Sequence, residues 1–222
     1  MFEEFQRIGR LLFQERLVHS HGGNMSMRDW DKIFITRRDA MLGELKEGDI
    51  IEVGFESGEK DNLASRELPT HRALYKQTQA KAIVHAHSAH AIAISITDNK
   101  VVPQDAEGSF LFKSAPIVRV RGGVGSEETA RLLPSFLGKE NVVAVVKGHG
   151  SFAIGESLEE AYKYTSCLEN SCKIIIAVRS SGGRPRPERR EGRREGRREG
   201  LGRRSAIPPG IGVMDRSRYR KR

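Results

Sequence analysis

Two histidines separated by one residue, His85 and His87, follow the short apolar run 82–84. In an extended strand the side chains of residues i and i+2 lie on the same face, so both imidazoles are predicted to project side by side from a strand end. Neutral imidazole is a good ligand for zinc, copper, iron and nickel. The pair therefore supplies half of a transition-metal site, although two partly exposed strand-end histidines would give the same pattern.

A third histidine, His149, lies between two glycines and follows the run 142–146, whose residues are all apolar. Such a run predicts an interior strand, and the glycines leave room around the imidazole. A catalytic metal site needs three or four ligands with one position open to substrate. Other side chains that could serve as ligands or line the same pocket are His19, His21, Glu67, His71 and His90.

A turn containing Gly22 and Gly23 separates the first predicted helix from the first predicted strand. Glycine permits positive φ, and free backbone N–H groups in such a turn can bind an anion. An ordinary helix-to-strand turn would have the same composition. Further along, Ser65 is predicted to cap a helix whose first turn contains Glu67 and Pro69.

Helices and strands must position these side chains, and their patterns are clear. Apolar residues at helical spacing predict helices over 2–17, 65–77, 89–96, 126–137 and 158–178. Alternating or β-branched runs predict strands over 25–27, 32–36, 49–55, 83–87, 117–120 and 142–146, the first two forming a hairpin.

The chain of 222 residues, with 37% hydrophobic and 30% charged residues, predicts one large globular domain. Its net charge of +9 is concentrated in residues 184–222, which contain 15 basic and 5 acidic residues, whereas the remainder contains 23 and 24. Residues 189–200 repeat Arg-Arg-Glu-Gly three times. We therefore expect a folded domain over 1–181 and a disordered low-complexity tail over 182–222.

The basic tail could tether the protein to nucleic acid or to another anionic surface, or it could be an extension without a role in the chemistry. We expect no nucleic-acid partner, because a basic tail without a fold is a weak signal for one. No apolar run approaches the roughly 18 residues of a membrane span. The N-terminus has Glu3 and Glu4 where a secretory signal has basic residues. Cys167 and Cys172 have neither metal-site nor redox-pair spacing, so we expect reduced thiols in a cytoplasmic protein.

Four separated motifs together resemble the class II aldolase/adducin family. They are Gly22-Gly23-Asn24-Met25-Ser26; Ser65-Arg66-Glu67 with His71 and Tyr75; Ile83-Val84-His85-Ala86-His87; and Lys147-Gly148-His149-Gly150 with Gly155, Leu158, Glu160 and Ala161. The resemblance covers about residues 1–178. It implies a single α/β domain of three α/β/α layers around a mixed, mostly antiparallel central sheet. It also implies a homo-oligomer, a cyclic tetramer with active sites at subunit interfaces.

The resemblance further implies specific site residues. It implies Zn²⁺ bound by three histidines, which match His85, His87 and His149. It implies a glutamate that acts as catalytic acid/base and can also ligate the metal, which matches Glu67. It implies a phosphate pocket, whose matching residues are Gly23, Asn24, Ser26 and Ser65. The family usually has a Thr-Gly loop and a second serine where this chain has Arg38-Asp39 and Arg66; both arginines could bind phosphate as charged forks.

The reaction that the resemblance implies is zinc-dependent cleavage of a ketose 1-phosphate, such as fuculose 1-phosphate, to dihydroxyacetone phosphate and a small aldehyde. Such a cleavage needs an electrophile at the carbonyl and hydroxyl oxygens, which zinc supplies as a Lewis acid. It also needs a base near the carbon or hydroxyl that loses a proton, which a buried glutamate supplies. Family aldolases place a tyrosine acid where this chain has Glu107, which leaves the exact substrate open.

Three other functions belong to the same family. One is dehydration of a methylthio-sugar phosphate. A second is 4-epimerisation of a pentulose phosphate, although those epimerases usually have aspartate at the position of Glu67. The third is a non-catalytic, adducin-like interaction domain, and such domains lack the ligand set that this chain has.

Overall fold

The computed structural model of the protein describes residues 1–138 and 140–184. Its strands are β1 (Asn24–Asp29), β2 (Lys32–Thr36), β3 (Ile50–Gly54), β4 (Ala82–Ala86), β5 (Lys100–Val101), β6 (Ala115–Val118), β7 (Val143–Val146) and β8 (Gly150–Gly155). Its α-helices are α1 (Phe2–Gln14), α2 (Leu68–Gln77), α3 (Ala89–Thr97), α4 (Ala106–Leu111), α5 (Glu127–Leu132) and α6 (Leu158–Ser180). Short 3₁₀ helices cover Leu42–Glu44, Glu47–Asp49, Glu59–Asn62 and Leu133–Phe136.

Within these residues the strands form one eight-stranded sheet in the order β3-β2-β1-β4-β8-β7-β6-β5. Neighbouring strands are antiparallel except for β6 and β7, which are parallel. The predicted hairpin is confirmed: β1 and β2 meet at Trp30, which adopts a positive φ of 52°. The strand order brings β4, β8 and β7 side by side at the centre of the sheet, where the histidine-bearing segments lie.

Alternating side chains of the strands pack into two apolar clusters, one on each face of the sheet. On β4, for example, Val84 belongs to the cluster that contains residues of α1, α3 and α6, whereas Ile83 belongs to the cluster that contains residues of α2. Every residue of β4 is buried, as expected for an interior strand covered on both sides. The three-layer α/β/α architecture with a mixed, mostly antiparallel sheet is therefore confirmed.

Several element boundaries differ from the sequence predictions. The helix predicted from Ser65 begins only at Leu68, with Glu67 at the N-cap and Pro69 in the first turn. The helix predicted over 126–137 divides into α5 and a 3₁₀ helix that contains Pro134, because proline has no N–H for an α-helical hydrogen bond. The first helix ends at Gln14 rather than at residue 17. Helix α4 and the two-residue strand β5 were not predicted.

The described chain ends just after α6. Gly182, with a φ of +75°, donates its N–H to Arg179 O, and Gly183 donates to Val178 O, so these glycines form a Schellman cap on the helix. Residues 185–222, most of the predicted tail 182–222, lie outside the described residues. In the part of the chain that the structure describes, no helix is both long and apolar enough to span a membrane.

Candidate metal centre

Three imidazoles, those of His85, His87 and His149, lie together at one end of the central strands. One ring nitrogen from each lies within 4.8 Å of the other two. Strand β8 pairs with both β4 and β7, so the end of β4 lies beside the turn between β7 and β8. His85 and His87 come from the first of these segments and His149 from the second. The sheet topology thus joins histidines that are far apart in the chain.

His85 is buried among its neighbours and is only 1% exposed. Its Nδ1 donates to the backbone carbonyl of Ser151 at 2.9 Å, because a carbonyl oxygen can only accept. That bond leaves the lone pair on Nε2, which lies 3.1 Å from Nε2 of His87. The ring also stacks on Phe152, with centroids 4.1 Å apart and an interplanar angle of 20°. One ring orientation, with one tautomer, is thereby selected.

The surroundings keep these imidazoles neutral. Burial lowers the pKa of His85 well below its ordinary value, and the nearby His87 and His149 rings lower it further. Burial lowers the pKa of His87 to about 4, with smaller effects from His149 and His19. The pKa of His149 is also lowered by burial, against an opposing effect of Glu67. A metal ion would therefore displace no protons from these rings near neutral pH.

The donor set fits a metal ion. Among residues 1–138 and 140–184, His149 Nε2 is buried without a hydrogen-bond partner, and a buried polar atom in that state calls for an explanation such as an ion. Three neutral imidazoles beside a carboxylate match the nitrogen and oxygen ligands of catalytic zinc sites. The protein therefore has a histidine triad that can hold a metal ion.

Glu67 is almost fully buried, with 1% of its surface exposed, and lies at the N-cap position of α2. Its Oε1 accepts a hydrogen bond from Gly125 N at 2.8 Å and lies 3.7 Å from His149 Nε2. Its Oε2 accepts a hydrogen bond from the Thr70 hydroxyl at 3.1 Å. The carboxylate is therefore oriented by two donors and placed beside the histidine triad.

Three of the predicted phosphate-binding residues, Arg38, Ser65 and Arg66, line one cavity of about 490 Å³. The Nε of Arg38 is buried and has no hydrogen-bond partner among the described residues. Arg66 forms a bidentate ion pair with Asp39, at 3.0 and 3.2 Å. Asp39 adopts a φ of +57°, the left-handed region that favours glycine, at the loop position where family aldolases usually have that residue.

The other predicted phosphate-binding residues, Gly23, Asn24 and Ser26, lie on or beside β1. Gly23 has a φ of +78°, and a Cβ there would lie 2.8 Å from the carbonyl oxygen of His85. Asn24 and Ser26 are buried and face His71: His71 Nε2 donates to Asn24 Oδ1 at 2.7 Å, and the Ser26 hydroxyl donates to His71 Nδ1 at 2.6 Å. Direct phosphate binding by Gly23, Asn24 and Ser26 stays a prediction.

The candidate ligands His71 and His90 do not join the triad. His71 is fully buried in the network with β1, which also includes a hydrogen bond between Ser26 and Tyr75, and burial lowers the pKa of His71 to about 3. His90 instead pairs with Glu169, at 2.7 Å. Glu107 lies in a groove along α6 with Tyr162 and Lys163.

Sequence reasoning missed several residues that build the site. Ser151 and Phe152 orient His85, and Thr70 and Gly125 orient Glu67. The signal available for Thr70 was its position three residues after Glu67, a helical neighbour spacing. Nothing local in the sequence connects Gly125 to Glu67, because that contact depends on the packing of two distant segments.

Comparisons of sequence and of structure with known proteins point to the same family. A family model described as Class II Aldolase and Adducin N-terminal domain matches residues 3–176. L-fuculose phosphate aldolase of Methanocaldococcus jannaschii is 29% identical over 178 residues, covering 78% of this chain and 94% of that protein. The crystal structure of L-fuculose-1-phosphate aldolase from Thermus thermophilus has a TM-score of 0.78 and 32% identity, covering 84% and 98% of the two chains. Rat alpha-adducin is 26% identical over 188 residues, which cover 82% of this chain and 25% of that protein.

Proposed function

The chain belongs to the class II aldolase and adducin family, and we propose that it is a zinc-dependent aldolase. The proposed reaction cleaves a ketose 1-phosphate of the fuculose 1-phosphate type to dihydroxyacetone phosphate and a small aldehyde. The observation that carries this proposal is the buried carboxylate of Glu67 beside a triad of neutral imidazoles. It lies 3.7 Å from His149 Nε2, which accepts or donates no hydrogen bond within the described part of the chain. A domain that served only as a binding surface would have no use for this arrangement.

The metal ligands in this proposal are His85, His87 and His149, each through one ring nitrogen, with Glu67 close enough to serve as a fourth. Zinc, when bound, would supply a Lewis acid for the carbonyl and hydroxyl oxygens of the substrate. The hydrogen bond from His85 to Ser151 keeps one ring lone pair available.

Glu67 is the proposed acid/base. In the cleavage direction Glu67 is proposed to accept the proton of the C4 hydroxyl, whose oxygen becomes the aldehyde carbonyl. The C3–C4 bond breaks, and its electron pair passes to the three-carbon fragment as an enediolate. Protonation at C3 then completes dihydroxyacetone phosphate. Glu67 is proposed to deliver that proton, and to remove it from C3 in the direction of synthesis. The hydrogen bonds from Gly125 and Thr70 would hold the carboxylate in place for this transfer.

The phosphate group is proposed to bind in the cavity lined by Arg38, Ser65 and Arg66. Arginine recognises phosphate through two parallel N–H donors. Arg38 and Arg66 are therefore suitable replacements for the Thr-Gly loop and the second serine that family aldolases usually have. Arg66 already pairs with Asp39, so a bound phosphate would compete with that carboxylate for the guanidinium. A homotetramer and a cytoplasmic location also stay predictions that follow from the family resemblance and composition.

The test is a retro-aldol assay of the zinc-loaded protein against a panel of ketose 1-phosphates, coupled to detection of dihydroxyacetone phosphate. The panel includes a methylthio-sugar phosphate, whose dehydration would give no dihydroxyacetone phosphate, and a pentulose phosphate to detect epimerisation. We expect cleavage of at least one ketose 1-phosphate and its loss after chelation of zinc. The proposal is wrong if the metal-loaded protein releases dihydroxyacetone phosphate from no member of the panel.

A further inference from the structure

His19, in the turn between α1 and β1, contacts one of the triad histidines. Its Nε2 lies 3.2 Å from Nδ1 of His87, and the two ring centroids are 5.2 Å apart. His19 itself is exposed, whereas His85 and His149 are more deeply placed. The contact therefore joins the solvent-facing side of the triad to a side chain from the turn between α1 and β1.

The hydrogen-bond roles follow from the geometry. Nε2 of His87 faces Nε2 of His85 at 3.1 Å, so it is the nitrogen directed into the site. With a metal bound there, Nε2 presents its lone pair and the ring hydrogen is on Nδ1. Nε2 of a neutral His19 can then accept that hydrogen.

We propose that His19 is a positioning residue for the metal ligand His87, which it orients by accepting the Nδ1–H hydrogen bond. This inference rests on the proposed metal site. His85 receives the same support from the carbonyl of Ser151, because β4 and β8 are still paired there. His87 lies one residue beyond the end of β4 and uses an imidazole from another segment instead.

Gly22 is the residue that lets the two rings approach. A Cβ at this position would lie 2.6 Å from His19 Nε2 and 2.8 Å from His87 Nδ1, closer than side-chain atoms normally approach. An alanine there would lie against both hydrogen-bonding nitrogens. The contact between His19 and His87 therefore depends on both residues of this turn, and substitution of either Gly22 or His19 should disrupt it.

Hydrogen-bond partners of metal-binding histidines fix the ring and its tautomer, and their loss typically lowers metal affinity by ~10- to 100-fold. We expect His19→Phe, which keeps a ring but removes the acceptor, to weaken zinc binding by this factor. Gly22→Ala should reproduce the loss without changing His19. His19→Gln, whose amide oxygen can accept the same hydrogen, should recover most of the affinity.

The experiment measures zinc affinity of the full-length protein by competition with a chromophoric chelator, and the visible spectrum of the cobalt-substituted protein. His21→Phe is the matched control, because His21 lies in the same turn but bonds to Ser20 rather than to a triad histidine. Parent-like zinc affinity and cobalt spectrum in both His19→Phe and Gly22→Ala would overturn this inference and leave the proposed function intact. A parent protein that binds no zinc would overturn both.

Discussion

The backbone N–H of Gly125 donates a hydrogen bond to Oε1 of Glu67 at 2.8 Å, although the residues are 58 positions apart. Gly125 adopts a φ of +71°, and a Cβ there would lie 2.5 Å from the carbonyl oxygen of Arg66. Only glycine allows the loop to pass this close to the segment that carries the proposed base. On the other side, the Thr70 hydroxyl donates to Oε2. The site therefore holds its carboxylate from two elements at once.

Thr70→Val should lower kcat without loss of the fold. Valine has nearly the same shape as threonine, but it removes the donor to Oε2 at a fully buried position. A hydrogen bond to a charged group contributes roughly 1.5–3 kcal/mol, which corresponds to about a 10- to 100-fold loss of rate. Thr70→Ser restores the donor and should recover most of kcat. Steady-state kinetics check this, and parent-like kcat in Thr70→Val would contradict the positioning role.

Glu67→Gln should abolish most of the activity while zinc stays bound. Glutamine keeps the size of the side chain and an oxygen acceptor for Gly125, but it cannot accept or deliver the proton. A positioned general base is worth ~10²–10⁴ in rate, so kcat should fall by about that factor. The matched control is Glu127→Gln, an exposed glutamate in the first turn of α5.

Zinc content, measured on the same samples, separates the two roles of Glu67. Zinc near one equivalent with low kcat supports the acid/base role, because three histidines remain. Loss of zinc together with activity would make Glu67 chiefly a ligand. Full activity would remove Glu67 from the mechanism.

Zinc should raise the melting temperature of the metal-free protein, and His149→Ala should remove that effect. A ligand that binds only the folded state stabilises it by about 2.7 kcal/mol at a concentration of 100 Kd. His149 supplies one of three nitrogens in the triad, and the residues that the structure describes offer its Nε2 no hydrogen-bond partner. Thermal melts at increasing zinc concentration provide the measurement, with His90→Ala as control because His90 pairs with Glu169 instead. An unchanged zinc-dependent shift in His149→Ala would exclude His149 as a ligand.

The histidine pair could be predicted from sequence because strand geometry is local. An apolar run and a spacing of two are sufficient to place His85 and His87 on one face. The hairpin of β1 and β2 was predictable for the same reason. Whether His149 joins the pair depends on β8 pairing with both β4 and β7. No single segment of the sequence determines the order of strands in the sheet. The resemblance to a family, rather than periodicity, supplied that connection.

Short elements and long-range polar contacts were the parts that sequence reasoning could not supply. Helix α4 has only six residues, too few for a periodic pattern, and its cap is the side chain of Asp105, which accepts from Gly108 N. Asp105 also accepts from Ser171 of α6, a contact that no local pattern indicates. Ser65 is a residue type that favours the N-cap, but the N-cap of α2 is Glu67, two residues later. In each case tertiary packing, rather than intrinsic propensity, selects the conformation.

Acid should remove the stabilisation that Asp61 contributes. Arg72 donates two hydrogen bonds to this carboxylate, at 2.5 and 2.8 Å, and also bonds to the carbonyl oxygens of Gly54 and Glu56. The pKa of Asp61 is lowered, chiefly by the hydrogen bonds from Arg72, against the effect of burial. A folded-state pKa below the unfolded value of about 3.9 gives stability that is present above that pH and is lost as pH falls through the folded pKa.

Asp61→Asn should therefore be less stable than the parent at pH 7, and the difference in free energy of unfolding should shrink below about pH 4. Urea denaturation over a pH series measures it. Glu44→Gln, at an exposed position, is the control and should show no such pH-dependent difference. A constant difference between Asp61→Asn and parent across the series would show that the ion pair is not its source.

Removal of residues 185–222 should leave the melting temperature and kcat unchanged, because a segment of this composition has too few apolar residues to add to a core. A shorter protein ending at Ser181 is the informative comparison. It lacks Gly182 and Gly183, whose N–H groups cap the last carbonyls of α6. We expect this second truncation to melt at a lower temperature than the first, because α6 packs along the sheet and its end would fray.

Differential scanning calorimetry of the two truncations beside the full-length chain checks both expectations. A loss of cooperative melting on removal of 185–222 alone would assign the tail a structural role, and equal melting temperatures for the two truncations would show that the glycine cap is dispensable.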